Sequence, residues 1–310
     1  ITPSSSSMES LIRYLKKYKK DAVGKNEFCV VQAEDELAAF GIVTGASWAG
    51  ARGVTATSGP GTSLMAEGAG LSHFAEIPAV VINVQRMGPS TGLPTRTSQG
   101  DILACYYLSH GDTKHILLIP GTPAECYEFG FEVMNLAQDM QTVIFLMSDL
   151  DLGMNNWMCD PFEPITKEIS KGKILTAEQL EVNKGFKRYA DVDGDGIPYR
   201  TLPGVESDYA VYFTRGTGHR DDATYAESSV DWKKNIDRLK RKHDTARKLV
   251  PESVFSGSGK QKRGLVAYGS SDPAVFEAIF ILSKNYGIEV DYMRIRALPA
   301  TRSTIDFMKN

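Results

Sequence analysis

The stretch AVVINVQRMGPSTGLPTRTSQGD (residues 79–101) joins a short apolar run to a polar loop rich in glycine and proline. The run at 79–85 has the length and composition of a buried strand. Similar runs lie at 28–32, 53–58, 115–120 and 142–148. Segments with helical patterns lie between them, chiefly 36–51 and 122–138. This alternation predicts an α/β fold, a doubly wound parallel sheet with helices on both faces.

In sheets of this kind, ligands bind beyond the carboxyl ends of the strands. The first strand is followed by AEDE (33–36), in which Glu36 opens a helix, where the helix dipole favours a carboxylate. The next is followed by TSGPGTS (57–63), which lacks the lysine of a nucleotide phosphate loop. The third is followed by the loop 86–101. Loops this long are usually functional or disordered. Because Arg86 directly follows an apolar strand, we expect a functional loop rather than a solvated surface loop.

Composition limits the function classes. The 310 residues are 42% hydrophobic and 24% charged with a net charge of −3, which gives no basic surface for nucleic acid or an anionic membrane. No apolar run approaches the ~20 residues of a membrane span. The four cysteines are scattered, which argues against a disulfide framework and against a zinc or iron–sulfur site built by this chain alone. Cys29 is expected to be a buried thiol, and the pattern suits a reducing cytoplasm.

The remainder of the chain has a different character. Residues 160–260 are polar and weakly periodic, as expected of an extended connector, and 232–252 reads as a charged helix with a solvated face. DVDGDG (191–196) matches half of a calcium loop, with Asp191, Asp193 and Asp195 as candidate ligands. Leu202 occupies the position that requires a bidentate glutamate, so we favour a polar turn.

The last segment reads strand, turn, helix, strand, which is one βαβ unit. We therefore divide the chain into a domain at 1–160, a connector with the charged helix at 161–258, and the truncated start of a second α/β domain at 259–310.

Four motifs occur in a characteristic order: ITPSS (1–5), AEDELAAFGIVTGASWAGAR (33–52), TSGPGTSLMAEGAGL (57–71) and RMGPSTGLPTRTSQGD (86–101). Together they resemble the α subunit of thiamine-diphosphate-dependent 2-oxoacid:ferredoxin oxidoreductases, the 2-oxoglutarate type in particular. In that family the first motif is Tyr-Pro-Ile-Thr-Pro, and this chain starts at its isoleucine. We therefore expect a fragment that lacks both termini. The resemblance implies that 1–160 is a domain that binds the pyrimidine ring of thiamine diphosphate, and that 259–310 begins a domain like the C-terminal domain of transketolase.

The resemblance also implies site residues. A thiamine enzyme needs one carboxylic acid beside the aminopyrimidine ring, and Glu36 matches the family position. Glu34 and Asp35 are neighbouring rivals, and all three could simply be charges at a helix start. Thr2 corresponds to the threonine that faces the reacting 2-oxoacid.

Two arginines follow from the same resemblance. Arg86 matches the arginine of the GPSTG loop and offers a guanidinium to the carboxylate that every 2-oxoacid carries. Arg96 could bind a second carboxylate, as 2-oxoglutarate would require, or it could be an ordinary surface arginine.

The implied reaction is CoA-dependent oxidative decarboxylation of a 2-oxoacid to an acyl-CoA and carbon dioxide, with electrons passed to ferredoxin. The family's diphosphate site, magnesium and [4Fe–4S] cluster belong to a partner β subunit. A dimer of αβ heterodimers is expected, and the Gly- and Ala-rich helix at 36–51 suits an interface. Alternatives are a non-catalytic structural subunit, the same chemistry on pyruvate or another 2-oxoacid, and a calcium-binding module centred on DVDGDG.

Overall fold

The computed structural model describes residues 12–14, 17–18 and 28–309. Its strands are β1 (Val54–Thr57), β2 (Ala79–Gln85), β3 (Ile116–Leu118), β4 (Val143–Asp149), β5 (Val254–Ser256), β6 (Gly264–Tyr268), β7 (Asp291–Ile295) and β8 (Ala297–Leu298). Its helices from residue 36 onward are α1 (Glu36–Trp48), α2 (Pro60–Leu64), α3 (Ala66–Ala75), α4 (Ile102–Tyr106), α5 (Pro123–Met140), α6 (Leu150–Met154), α7 (Ala177–Asn183), α8 (Ser229–Ala246), α9 (Asp272–Tyr286) and α10 (Arg302–Lys309). A 3₁₀ turn, Gly269–Ser271, precedes α9. No described helix is both long and apolar enough to cross a membrane.

A five-stranded sheet has the order β1-β2-β4-β3-β8. Its first four strands are parallel, and β8 pairs antiparallel with β3. Helix α5 packs on one face, where Phe129 lies among residues such as Val80. Helices α1 and α3 cover the other face, where Phe40 lies among residues such as Val81. Successive residues of β2 thus point to opposite cores. This arrangement confirms the predicted α/β fold with a parallel sheet.

The strand predicted at 28–32 is wrong. Residues 28–33 form no strand, Val31 is exposed, and Cys29 is an exposed free thiol rather than a buried one. β1 is the edge strand on its side of the sheet, and this run does not pair with it. An apolar run becomes a strand only where a neighbouring strand takes its backbone hydrogen bonds, and residue type alone does not supply that neighbour.

Residues 155–228 are largely irregular apart from α7, and the charged helix follows as α8. The prediction of a solvated face for α8 holds for only part of its surface, because Arg238 and Lys242 are buried. Both bind the fully buried carboxylate of Glu76: Arg238 Nη1 donates over 3.0 Å and Lys242 Nζ over 2.7 Å to Oε2. Burial opposes ionisation of Glu76, but these two cations outweigh it and hold its pKa below the usual range.

DVDGDG forms a turn whose carboxylates are bound by protein cations. Lys173 Nζ lies 2.6 Å from Asp193 Oδ2 and 2.8 Å from Asp195 Oδ2. Asp191 pairs with Arg241 of α8 and accepts a hydrogen bond from the amide of Gly196. In the described ranges, no group of three or more His, Cys, Asp or Glu residues is arranged to hold a metal ion. The carboxylate of Asp191 thus joins this turn to α8, whereas those of Asp193 and Asp195 bind Lys173 within the connector.

The C-terminal segment contains the βαβ unit read from the sequence: β6 and β7 are parallel, with α9 between them, and β5 pairs antiparallel with β7. The segment also supplies β8 to the main sheet, where Leu298 lies opposite Leu117. A buried ion pair also joins β7 to helix α5, because Arg294 Nη1 donates to Glu125 Oε2 over 2.7 Å. The boundaries 1–160, 161–258 and 259–310 remain our proposed division.

Candidate active site

The turn that follows β1 packs against the carboxylate of Glu36. β1 ends at Thr57, and the chain passes through Gly59 into α2. A Cβ atom at Gly61 would collide with Thr57 Oγ1 and would lie 2.6 Å from Glu36 Oε1. The side chain of Glu36 therefore packs directly on the backbone of Gly61, at a distance that only glycine permits.

The structure separates the three carboxylates of AEDE. Asp35 is the N-cap of α1, and its Oδ1 accepts a hydrogen bond from the amide of Ala38 over 2.8 Å. Glu34 is exposed. Glu36 is the first residue of α1 and is half-buried, and within the described residues its carboxylate makes no hydrogen bond or ion pair. Among the described residues, Glu36 is therefore the one of the three carboxylates that combines partial burial with the absence of a protein partner.

Arg86 lies on the other side of the same turn. It follows β2 directly and is half-buried, and its Nε lies 3.9 Å from the position that a Cβ would take at Gly59. That buried Nε has no hydrogen-bond partner, and in the described part of the chain the guanidinium makes no ion pair. Glu36 and Arg86 thus flank the Gly59–Gly61 turn, and neither charged group has an ion-pair partner among the described residues.

Arg96 lies on the same loop as Arg86. The amide of Met87 donates to the carbonyl of Arg96 over 2.9 Å, so the backbone at Arg96 lies next to the residue that follows Arg86. The guanidinium is exposed, and within the described parts of the chain its Nη1 bonds only to Thr95. Thr2 lies outside the described residues.

An apolar groove of about 210 Å³ begins at Leu37, the residue that follows Glu36. It lies between α1 and the α2–α3 segment, and its walls include Leu37, Phe40, Leu64, Met65 and Leu71. Leu37, Leu64 and Leu71 are all more than 40% exposed. Contiguous exposed apolar residues next to a charged site are typical of a surface that another chain covers.

Sequence reasoning missed a polar cluster at the far end of the loop. Gln99 bonds to Asp149 at the end of β4 and to Ser270 in the C-terminal segment. These partners are 50 and 171 residues away in the sequence, so no local pattern could have indicated them. The only available signal was that Gln99 and Asp149 both follow strands predicted for one sheet.

The structure thus describes an α/β domain in which Glu36, at the start of a helix, and Arg86, directly after β2, lie at the carboxyl edge of the parallel sheet. Residues 1–189 match the protein family described as "Pyruvate flavodoxin/ferredoxin oxidoreductase, thiamine diP-bdg". This chain belongs to that family, which confirms the resemblance found in its motifs.

Several curated relatives are similar to the chain. The 2-oxoglutarate synthase subunit KorA of Methanothermobacter thermautotrophicus is 47% identical over 271 residues, which are 86% of this chain and 68% of that protein. KorA of Methanocaldococcus jannaschii is 32% identical over 302 residues, 95% of this chain and 75% of that protein. The 2-oxoacid:ferredoxin oxidoreductase subunit alpha of Saccharolobus solfataricus is 36% identical over 280 residues, 88% of this chain and 42% of that protein.

A solved structure is also similar: 2-oxoglutarate:ferredoxin oxidoreductase from Magnetococcus marinus with 2-oxoglutarate, coenzyme A and succinyl-CoA bound. The TM-score is 0.84 at 29% identity, and the match covers 99% of this chain and 51% of that one. The chain thus spans about half the length of that protein, and about two fifths of the Saccharolobus subunit.

Proposed function

We propose that this chain is part of the α subunit of a 2-oxoacid:ferredoxin oxidoreductase that converts a 2-oxoacid and CoA to an acyl-CoA and carbon dioxide. The observation that carries the proposal is the pair of charged groups, Glu36 and Arg86, on the two sides of the Gly59–Gly61 turn, neither of which forms an ion pair with a described residue. The family match and the names of the relatives support the same reaction.

The residues at the turn suit thiamine diphosphate. When bound, this cofactor supplies a nucleophilic thiazolium carbon for addition to a keto group and for the decarboxylation that follows. Glu36 would hold a proton on its carboxyl group and share it with N1′ of the aminopyrimidine ring. A half-buried carboxylate that no described residue binds can do this, whereas Asp35 already accepts a backbone hydrogen bond as a helix cap.

Arg86 would bind the carboxylate of the 2-oxoacid. A guanidinium matches a carboxylate with two parallel hydrogen bonds, and the buried Nε of Arg86 has no such partner among the described residues. Arg96 would bind the second carboxylate of a dicarboxylic substrate, and the Thr2 hydroxyl would donate to the substrate. Two candidate carboxylate sites favour 2-oxoglutarate, in agreement with the names of the KorA relatives. Pyruvate or another 2-oxoacid is the second candidate.

A partner β subunit would complete the site. We assign to it the diphosphate site, magnesium and a [4Fe–4S] cluster that passes electrons to ferredoxin, within a cytoplasmic dimer of αβ heterodimers. The exposed groove beside Glu36 supports such a contact, because its leucines would be buried against the partner. The relatives are named as subunits, which also supports an assembly.

The test is the ultraviolet–visible spectrum of the native complex, purified without oxygen. We expect iron–sulfur absorbance that is bleached by 2-oxoglutarate plus CoA, and more weakly by pyruvate plus CoA. A complex without iron–sulfur absorbance, or one that no 2-oxoacid bleaches, would contradict the proposal. The second outcome would instead support a non-catalytic subunit.

A further inference from the structure

Hydrogen bonds between its own backbone groups order the loop that carries Arg86 and Arg96, and further hydrogen bonds fix its C-terminal end. The amide of Leu93 donates to the carbonyl of Met87 over 3.0 Å, and the amide of Arg96 donates to the carbonyl of Leu93 over 3.0 Å. Beyond Arg96, the loop returns to the sheet at Asp101, whose amide donates to Gln85 Oε1 over 3.2 Å. The position of both arginines therefore depends on what fixes the segment between Arg96 and Asp101.

Gln99 fixes that segment with every polar atom of its side chain. Its Nε2 donates to Asp149 Oδ2 and to Ser270 Oγ, both over 3.0 Å. Its Oε1 accepts from Ser271 Oγ over 3.2 Å, and its backbone carbonyl accepts from the Tyr268 hydroxyl over 3.3 Å. Both amide donors and the amide acceptor are used, so only one orientation of the amide satisfies the cluster.

The partners of Gln99 are themselves fixed. Asp149 is only 1% exposed, and its Oδ1 caps α6 by accepting from the amides of Asp151 and Leu152. Its Oδ2 also accepts from Ser270 Oγ over 2.7 Å. The amide of Gln99 is thus held between the end of β4 and the C-terminal segment.

The C-terminal turn is shaped for this contact. Gly269 has a φ of +61°, and a Cβ there would lie 2.8 Å from Gln99 Nε2. A side chain at this position would push the amide away from Asp149, so glycine is needed both for the backbone conformation and for the close approach.

We propose that Gln99 is a positioning residue for the 2-oxoacid: it ties the loop of Arg86 and Arg96 to Asp149 and to the Gly269–Ser271 turn. This inference rests on the proposed function, because it takes the loop to be the substrate-binding element. Without the tie, the loop amides lose protection and the arginines no longer share one fixed geometry. Displacement of a binding group by about 1 Å can cost up to ~10²-fold in an enzyme reaction.

The experiment compares the native complex with Gln99→Leu and Gln99→Glu. The second variant keeps the size of the side chain but places a carboxylate against Asp149. Hydrogen exchange followed by mass spectrometry should show at least ~10-fold faster exchange in a peptide spanning 86–97 and no change in 79–85. The KM for 2-oxoglutarate should rise ~10- to 10²-fold, with a smaller change in kcat. Thiamine diphosphate affinity should change less than about twofold, because Glu36 lies on another element.

Two further variants sharpen the result. Gln261→Leu removes an amide from an exposed glutamine of the C-terminal segment and should alter neither measurement. Gln99→Glu combined with Asp149→Asn restores a donor and an acceptor in the same place, so loop protection and KM should recover towards the parent values.

Unchanged loop exchange in both Gln99 variants would overturn the inference, and so would faster loop exchange with an unchanged KM. A parallel loss of cofactor affinity would also overturn it, because the residue would then be generally structural. Failure of the proposed function would give a different result, because the unaltered complex would then not turn over any 2-oxoacid.

Discussion

At the scale of single residues, the position of the Glu36 carboxylate depends on Gly61, against which it packs. The missing side chain at Gly61 lets the carboxylate lie against the turn after β1, while Asp35 is used as a helix cap. The sequence alone could indicate that one of three adjacent carboxylates serves the site. It could not choose among them by pattern, because the choice depends on the direction of each side chain where α1 begins.

A conservative change tests the role of Arg86. Arg86→Lys keeps the positive charge but removes the planar pair of donors, so we expect the KM for 2-oxoacids to rise ~10- to 10²-fold, about 1.4–2.8 kcal/mol. Thiamine diphosphate binding should be unaffected. The exposed Arg302, which pairs with Asp306 on α10, provides the control, and Arg302→Lys should leave KM unchanged. Equal KM values for the Arg86→Lys and parent complexes would show that Arg86 does not bind the substrate carboxylate.

At the scale of secondary-structure elements, the sequence predicts the position of some strands and helices correctly but not that of others. β2 was predicted at 79–85 and lies there, because a continuous apolar run between two cores has no other stable position. The run at 28–32 is equally apolar but lacks a paired neighbour in the described chain. Helix α8 was recognised by its charges, but its buried cations depend on Glu76, which is more than 160 residues away.

The buried contact of α8 gives a stability prediction. Arg238→Met removes one of two cations from the buried carboxylate of Glu76, and breaking a buried ion pair from one side typically costs ~3–5 kcal/mol. We expect a loss of that size in the free energy of unfolding measured with urea. On the same helix, Arg241 is half exposed and pairs with Asp191, so Arg241→Met should cost no more than ~1 kcal/mol. Similar losses for the two variants would show that the Glu76 cluster does not hold α8 to the end of α3.

At the scale of the whole molecule, buried histidines predict an acid limit to stability. Burial lowers the pKa of His73 to about 3 and those of His115 and His243 to about 4. Nearby positive charge adds to this lowering of the pKa for His73 and His243. In the unfolded chain each would titrate near 6.5. The unfolded state therefore gains protons first as pH falls, and stability is lost between pH 6.5 and about 4.

We expect each of these histidines to cost ~1–2 kcal/mol of unfolding free energy between pH 7 and pH 5. Urea denaturation at a series of pH values measures this slope. His115→Gln should make the slope shallower, whatever it does to stability at pH 7. His110 is exposed, and His110→Gln should leave the slope unchanged. Identical slopes for all three proteins would show that the buried histidines do not limit stability in acid.

The partner surface also belongs to this scale. The small residues of helix 36–51 suit an interface, and the structure places along it an apolar groove lined by the exposed leucines Leu37, Leu64 and Leu71. Composition could not tell an interface helix from an internal one, because a tightly packed internal helix has the same small residues. That distinction requires the exposure of each side chain.

The central claim is that Glu36 is the carboxylic acid of a thiamine site, and exchange of the thiazolium C2 proton in deuterated water tests it most directly. In the native complex, Glu36→Gln should fold, assemble and bind thiamine diphosphate. It should nevertheless slow both C2 exchange and turnover by at least ~10²-fold, or roughly 3 kcal/mol of barrier. Glu34→Gln should leave both rates near those of the parent complex. Normal exchange in Glu36→Gln, with a collapse in Glu34→Gln, would contradict the account.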